Sequence, residues 1–213
     1  CLSRPVVPKY SAFWDVDLLL NYLALVDVHT VPLRLLSIKL ASLLTLVMAA
    51  RVSELTLLHI CPPWMASEPS GLSFTLKGRT KTQVAEQGMV VHLVRDQAES
   101  TLCVVSCVER YLEVTAPLWG KTSNLLLRSY APHLPASVDT VRNWVKAALA
   151  AAGIDTSAFK PHSVRGAVSS RASDCGFSLD AVLHAGRWSS SRAFSRHYWH
   201  PSGAAAYTAS ALH

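Results

Sequence analysis

The chain has 213 residues, which is enough for one domain with a substantial hydrophobic core. Half of the residues are hydrophobic, yet no uncharged apolar run reaches the roughly 18 residues of a membrane span. Twenty Lys and Arg residues against fourteen Asp and Glu residues give a net charge of +6. Thirteen of the twenty are Arg, whose planar guanidinium binds phosphate oxygens in pairs. We therefore expect a soluble protein, without a membrane partner, that binds a polyanion.

The spacing of apolar residues is mainly helical in the first part of the chain. It predicts a helix over residues 11–25 behind a Ser11 cap, a core helix that is apolar nearly all round over 33–50, and a shorter helix over 51–59. The sequence Cys61-Pro62-Pro63 ends the third helix, because proline lacks a backbone N–H. Residues 72–76 and 89–94 then alternate like strands, which predicts a small β-meander or hairpin.

Helical spacing returns in the second half of the chain. It predicts helices over residues 102–114, 137–152, 162–175, 178–185 and 190–198, with an Ala-rich segment over 204–212. The fold class is therefore mainly α with a small antiparallel β insertion (α+β), in one domain over 1–213. Within it, residues 1–30 form a lead-in helix and linker, and residues 201–213 form a C-terminal tail.

Five cysteines, odd in number and scattered, favour reduced thiols in an intracellular compartment. Cys103 and Cys107 share a helix face, but no second pair completes a zinc site, so buried thiols are the simpler interpretation. Because the chain begins with Cys1 rather than Met, we expect a fragment in which any targeting signal is invisible. Its location has to be inferred from its function.

Arg51 and Glu54 are three residues apart, immediately after the predicted core helix, and hence lie on one helix face. An ordinary surface salt bridge explains the same spacing and contributes little. The absence of a polar run around the pair favours a second interpretation, in which Glu54 holds Arg51 with its guanidinium directed at a ligand.

The connection between the two predicted strands is basic, with Lys77, Arg79 and Lys81 around Gly78. A lysine at the tip of a hairpin can reach into a groove of a bound partner, and Lys81 and Lys77 compete for that role. A solvated basic loop is the alternative.

His162 and Arg165 begin a predicted helix directly after Lys160-Pro161 and also share a face. The free N–H groups and the dipole of a helix N-terminus add to such side chains to make an anion site. A capped helix with a hydrogen-bonded histidine explains the pattern equally well.

Near the end of the chain, Gly186-Arg187-Trp188 leads into a helix that ends at Tyr198-Trp199. Read in order, the motifs are Arg then Glu, a Lys on a β turn, His-x-x-Arg, Gly-x-Trp and a late Tyr. This set, from Arg51 to Tyr198, resembles the phage integrase-like tyrosine recombinases, a family with mostly helical catalytic domains.

Two segments refine the resemblance. Arg187-Trp188 followed by three serines, together with Arg4-Pro5 and Phe13-Trp14-Asp15-Val16, looks like the branch in mobile elements of the Crypton and DIRS/Ngaro kinds. Trp188 and Tyr198 are ten residues apart, one more than in many bacterial and phage relatives and the same as in that branch. The resemblance implies a recombinase catalytic domain over 1–213, with the family's N-terminal DNA-clamping domain outside this sequence.

The resemblance also implies the role of each side chain. Tyr198 is the nucleophile that forms a 3′-phosphotyrosine link, with Tyr207 as the alternative, and Arg51 and Arg165 clamp the non-bridging phosphate oxygens. Lys81 is the general acid, and His162 accepts the tyrosine proton or donates to the phosphate. The implied catalytic set is Arg51, Lys81, His162, Arg165, Trp188 and Tyr198, with Glu54 holding Arg51; the implied DNA-binding residues are Arg79, Lys77, Arg187 and Arg192.

The sequence contains no acidic cluster at metal-binding spacing and no Gly-rich phosphate loop, so we expect no cofactor. The implied partners are double-stranded DNA and further copies of the chain, from a dimer to a tetramer, and the implied location is the nucleus. Two alternatives stay open. One is a catalytically inactive DNA-binding protein derived from such an element, and the other is a type IB topoisomerase-like enzyme.

Overall fold

The computed structural model describes residues 14–78, 89–98, 100–178 and 180–182. This part of the chain is mainly helical with one small antiparallel sheet, which confirms the predicted α+β class. Its elements are α1 (Val16–Leu25), α2 (Leu33–Val47), α3 (Val52–Leu55), β1 (Met65–Glu68), β2 (Gly71–Thr75), β3 (Val90–Val94), α4 (Val104–Thr115), α5 (Val138–Ala151) and α6 (Ser163–Asp174), with a 3₁₀ turn at Ala116–Leu118.

Helix α2 is the centre of the hydrophobic core, as its all-round apolar pattern predicts. Every residue from Leu36 to Leu46 is buried, and the helix packs against α4 on one side and α5 on another. The hydroxyls of Ser42 and Thr45 donate to backbone carbonyls one turn earlier, so they are buried with their hydrogen bonds made. Lys39 is also buried, and its Nζ donates to the Val26 carbonyl at 2.6 Å.

Two helix boundaries differ from the prediction because of local capping. Helix α1 begins at Val16, where the Asp15 carboxylate accepts the Asp17 N–H at 2.9 Å, and Ser11 lies outside the described residues. Helix α2 ends at Val47 because Ala49 takes a left-handed conformation, with φ of 42°.

The predicted helix over 51–59 is wrong in length, since α3 ends at Leu55. After it the backbone extends and pairs with a distant segment. The Leu125 N–H donates to the Leu58 carbonyl and the Ile60 N–H donates to the Ser123 carbonyl, both at 2.8 Å. These long-range hydrogen bonds replace the helical ones that the local sequence favours.

The three strands form an antiparallel meander in the order β1-β2-β3. Strand β1 was not predicted, and it pairs Met65 with Phe74. Gly71 is the first residue of β2, which lies between β1 and β3. A Cβ there would lie 1.9 Å from the Leu93 carbonyl oxygen, so only glycine fits. Beyond β2 the Lys77 N–H donates to the Leu57 carbonyl at 3.0 Å, which joins the sheet to the segment after α3.

The later predictions hold to within two residues for α4, α5 and α6. Ser137 caps α5 by accepting the Thr140 N–H, and Gly153 and Gly176 follow α5 and α6 with positive φ. Only the first turn of the predicted helix over 178–185 is described, where the Val182 N–H donates to the Ser178 carbonyl. The helix over 190–198 and the tail fall outside the described residues.

The described cysteines differ in exposure, since Cys175 is exposed and Cys61 is half-buried. Cys103 and Cys107 are buried free thiols, and burial raises the pKa of Cys107 to about 12. Within the described ranges no three His, Cys, Asp or Glu side chains group in a way that suits a metal ion. No helix of that part of the chain is long and apolar enough to cross a bilayer.

Candidate active site

Glu54 fixes Arg51 from two sides at the start of α3. One carboxylate oxygen accepts the Arg51 Nη1 at 3.0 Å, and the other accepts the Arg51 backbone N–H at 3.2 Å. Glu54 is buried, whereas the Arg51 side chain is 30% exposed. A carboxylate that grips both the guanidinium and the backbone leaves the arginine few rotamers. The pair is therefore a buried carboxylate that orients a partly exposed cation, not a loose surface salt bridge.

The end of α2 determines where this arginine sits. The Ala50 N–H donates to the Thr45 carbonyl and the Ala49 N–H donates to the Leu46 carbonyl, each at 3.2 Å, which is the hydrogen-bond pattern of a Schellman cap. This cap turns the chain immediately before Arg51. Because α2 is buried along most of its length, Arg51 directly follows a well-packed part of the core.

His162 and Arg165 lie at the start of α6 but in different surroundings. His162 occupies the position before the first helical residue and is exposed, whereas Arg165, one turn later, is only 4% exposed. Between them, the buried Ser163 hydroxyl accepts the Trp14 Nε1–H at 2.9 Å. This contact ties the beginning of the described chain to the helix end that carries both residues.

A cleft of about 700 Å³ brings Arg51 and His162 together. It lies between the start of α3, the exposed face of α5 and the turn before α6. The polar described residues that line it are Arg51, Ser53, Arg142, Asn143, Lys146, Lys160 and His162. No carboxylate is among the described residues that line the cleft. Four permanent cations and an imidazole therefore make it a site for an anion.

Sequence reasoning missed three of these cations. Arg142 and Lys146 are four residues apart in α5, which puts them on one exposed face, and Lys160 stands directly before Pro161 in a motif that was otherwise recognised. The available signal was the i,i+4 spacing in a helix whose other face is apolar. That signal is common on solvated helix faces, so it carries little information alone.

Lys77 lies on the sheet side of the molecule and does not line the cleft. Its Nζ is 5.7 Å from the centre of the Trp64 ring, within the range of a cation–π contact. The remaining predicted residues, Arg79, Lys81, Arg187, Trp188, Arg192, Tyr198 and Tyr207, lie outside the described residues.

His59 is a buried histidine, unlike the exposed His162, and the sequence did not single it out. Its Nδ1 is 2.7 Å from the Ser123 hydroxyl, in the segment that links α3 to the sheet. Burial, and to a smaller extent the positive charge of Lys77, hold the pKa of His59 below its usual value. The imidazole is therefore neutral near pH 7, and we assign it a structural role.

No family model and no curated protein matches the chain. Among solved structures it is similar to the XerA recombinase, with a TM-score of 0.66 and 14% identity over 99% of this chain and 66% of that one. It is similar to the XerH site-specific recombinase in a post-cleavage complex with its palindromic difH substrate, with a TM-score of 0.68 and 14% identity over 94% and 53% of the two chains. The Tn1549 transposon integrase in complex with circular intermediate DNA gives a TM-score of 0.60 and 13% identity over 98% and 67%.

The chain thus spans 66% and 53% of the lengths of the XerA and XerH recombinases. At 13–14% identity these similarities establish the fold. The chain has the fold of the tyrosine recombinase catalytic domain, as the order of its motifs predicts.

Proposed function

We propose that the chain is the catalytic domain of a site-specific recombinase or integrase, which cleaves and rejoins DNA through a 3′-phosphotyrosine intermediate. The observation that carries this proposal is the cleft, where an arginine held by a buried carboxylate and an exposed histidine face the same space. The motifs that predicted both residues come from a family whose fold the chain has.

The proposed reaction begins with the Tyr198 hydroxyl, whose ordinary pKa of about 10 leaves it protonated near neutrality. His162 accepts that proton or donates to the phosphate. The phenolic oxygen then attacks phosphorus, the bond to the 5′ oxygen breaks, and Lys81 protonates the departing oxygen. Arg51 and Arg165 stabilise the charge on the non-bridging oxygens, and each such donor lowers the barrier by about 3–4 kcal/mol. Trp188 offers only an indole N–H, so it binds without transferring a proton.

A covalent-capture experiment tests the proposal. The protein is incubated with a pool of nicked duplexes of randomised sequence, and DNA that stays attached to denatured protein is recovered and sequenced. We expect an adduct that Tyr198→Phe abolishes and Tyr207→Phe leaves intact. DNA binding without any adduct would instead identify the inactive DNA-binding protein, and relaxation of supercoiled DNA of any sequence would identify a topoisomerase-like enzyme.

A second substrate separates the role of Lys81 from that of Arg51. When sulfur replaces the bridging 5′ oxygen, the leaving group is a thiol with a pKa of about 8.5, which departs without a general acid. We expect this substrate to restore cleavage by Lys81→Ala but not by Arg51→Ala. Failure to rescue Lys81→Ala would remove the general-acid assignment, and Lys77→Ala is then the next variant to test.

The wider setting of the enzyme is part of the same proposal. The structure of the XerH recombinase contains a palindromic substrate. A palindromic site is bound by two symmetry-related copies of a protein. We therefore propose that this chain forms a dimer or tetramer on DNA. The motifs around Arg187-Trp188 support an origin in a mobile element, and a recombinase of a eukaryotic element acts in the nucleus. Arg79, Arg187 and Arg192 are the proposed additional DNA contacts.

A further inference from the structure

The exposed face of α5 forms one wall of the candidate active site. Val141, Trp144, Val145 and Ala148 bury the opposite face of the helix, and α5 packs against α2. This packing fixes the rotation of α5 about its own axis. Arg142 and Lys146 therefore point away from the core by the geometry of the helix, and both line the cleft.

The charges on this wall continue beyond the residues assigned to catalysis. Arg142 and Lys146 are separated by about 6 Å along the helix axis, which is close to the axial rise of two nucleotides of one DNA strand. Lys160 lines the cleft beside His162. Together Arg142, Lys146 and Lys160 form what we call the basic rim. If Arg51 binds the cleaved phosphate, the exposed cations beside it are positioned to bind the neighbouring phosphates of the same strand.

Asp139 partly offsets the positive charge of this wall. It lies one turn before Arg142 and forms a salt bridge with it, and both side chains are more than half exposed. A carboxylate on that guanidinium competes with a DNA phosphate for the same donors. Lys146 has no such carboxylate within hydrogen-bonding distance among the described residues.

We propose that the basic rim binds the DNA backbone next to the cleaved phosphate, and that Asp139 weakens this binding by holding Arg142. The inference rests on the proposed function, because it takes the phosphate at Arg51 as its reference point. It adds three contacts that the motifs do not contain and one acidic residue that opposes them.

Salt dependence of DNA binding tests the proposal without any cleavage. Binding to a generic duplex is measured in the Tyr198→Phe background at salt concentrations from about 50 to about 200 mM. Each lost phosphate contact reduces the slope of log affinity against log salt by about 0.9. We expect that reduction for Lys146→Ala and for Lys160→Ala, so that the affinity lost over this fourfold range shrinks by about 3.5-fold for each lysine, and a smaller reduction for Arg142→Ala, because Asp139 competes for Arg142.

Two variants on other surfaces are matched controls. Arg110 forms an ion pair with Glu113 at the same i,i+3 spacing on α4, and Lys121 is an exposed lysine that does not line the cleft. Arg110→Ala and Lys121→Ala are expected to leave the slope unchanged. An equal reduction in the controls would show a general charge effect and overturn the proposal.

Asp139→Asn is the test that separates the rim from a merely positive surface. Releasing Arg142 from an exposed ion pair is expected to raise affinity about two- to fivefold, whereas Glu113→Gln, its counterpart on α4, is expected to change nothing. Unchanged slopes and affinities would overturn the rim alone if the same rim variants, with Tyr198 intact, still form the covalent adduct. Absence of any DNA binding at low salt would overturn the proposed function together with it.

Discussion

Glu54 is the residue on which the orientation of Arg51 depends, because its two oxygens bind the guanidinium and the backbone N–H of the same residue. Glu54→Gln keeps one acceptor and loses the charge. We expect the rate of adduct formation to fall by about 10²-fold, the usual effect of a misplaced catalytic group, with DNA affinity nearly unchanged. Single-turnover rates and equilibrium binding measure the two effects separately. Equal losses in both would instead mean that Glu54 only maintains the fold.

The burial of His59 makes the stability of the protein depend on pH. Its pKa is lowered in the folded protein, so the unfolded chain binds a proton more readily. The stability that neutral His59 contributes is fully present above the unfolded pKa of about 6.5 and is lost as the pH falls below it. We expect the difference in the free energy of unfolding between the wild type and His59→Gln to shrink from pH 7.5 to pH 5. A constant difference in denaturant titrations across that range would contradict this.

At the scale of elements, three helices end in the same way but with different residues in the left-handed position. Helices α5 and α6 use Gly153 and Gly176, whereas α2 uses Ala49. A Cβ on Gly153 would meet nothing within 4 Å, so Gly153→Ala changes only the backbone energy. We expect it to destabilise the protein by about 1 kcal/mol, because alanine pays a conformational penalty there. Thermal or denaturant unfolding measures this loss.

A matched substitution makes the stability measurement specific. Ala150 is an exposed residue of α5 within one turn of Gly153, and Ala150→Gly removes a methyl group instead of adding one. It is expected to cost about 0.5 kcal/mol for the opposite reason, since glycine is less favourable than alanine in a helix and Ala150 lies in the last turn of α5. If Gly153→Ala were neutral while Ala150→Gly was destabilising, the left-handed cap would not require glycine.

Helices with strong local signals could be predicted from the sequence, and elements defined by distant partners could not. Helix α5 has Ser137 before it, a clear apolar face and Gly153 after it, and its predicted bounds were right to one residue at each end. The predicted helix over 51–59 is more than twice as long as α3. The helix ends early because the residues that follow it pair with residues 123–125. Strand β1 is a short, largely exposed segment whose only reason to extend is its partner β2. Local periodicity contains no information about either partner.

At the scale of the whole molecule, the candidate site also combines residues that the sequence predicts with residues that only the fold brings together. Arg51 and His162 were predicted because each belongs to a motif, and the fold places both on one cleft. Arg142 and Lys146 belong to no motif, and on an isolated helix they resemble any solvated basic face. Only the approach of α5 to the start of α3 places them on the cleft beside Arg51. The Trp14–Ser163 hydrogen bond, between residues 149 positions apart, is likewise visible only in the folded chain.

The proposed mechanism requires Arg51 and Arg165 to act on one phosphate although they are far apart in the sequence and differ in exposure. Lysine in place of either keeps the charge but loses the paired N–H donors of the guanidinium. We expect Arg51→Lys and Arg165→Lys each to slow adduct formation by about 10²- to 10³-fold. Residues that act as a unit do not contribute independently, so the double variant is expected to be little slower than the slower single variant. Because Arg165 is buried, the unfolding temperature of each variant is measured first, and rates are taken well below it. Losses that multiply in the double variant would show that the two arginines act at separate places, and the shared phosphate clamp would have to be abandoned.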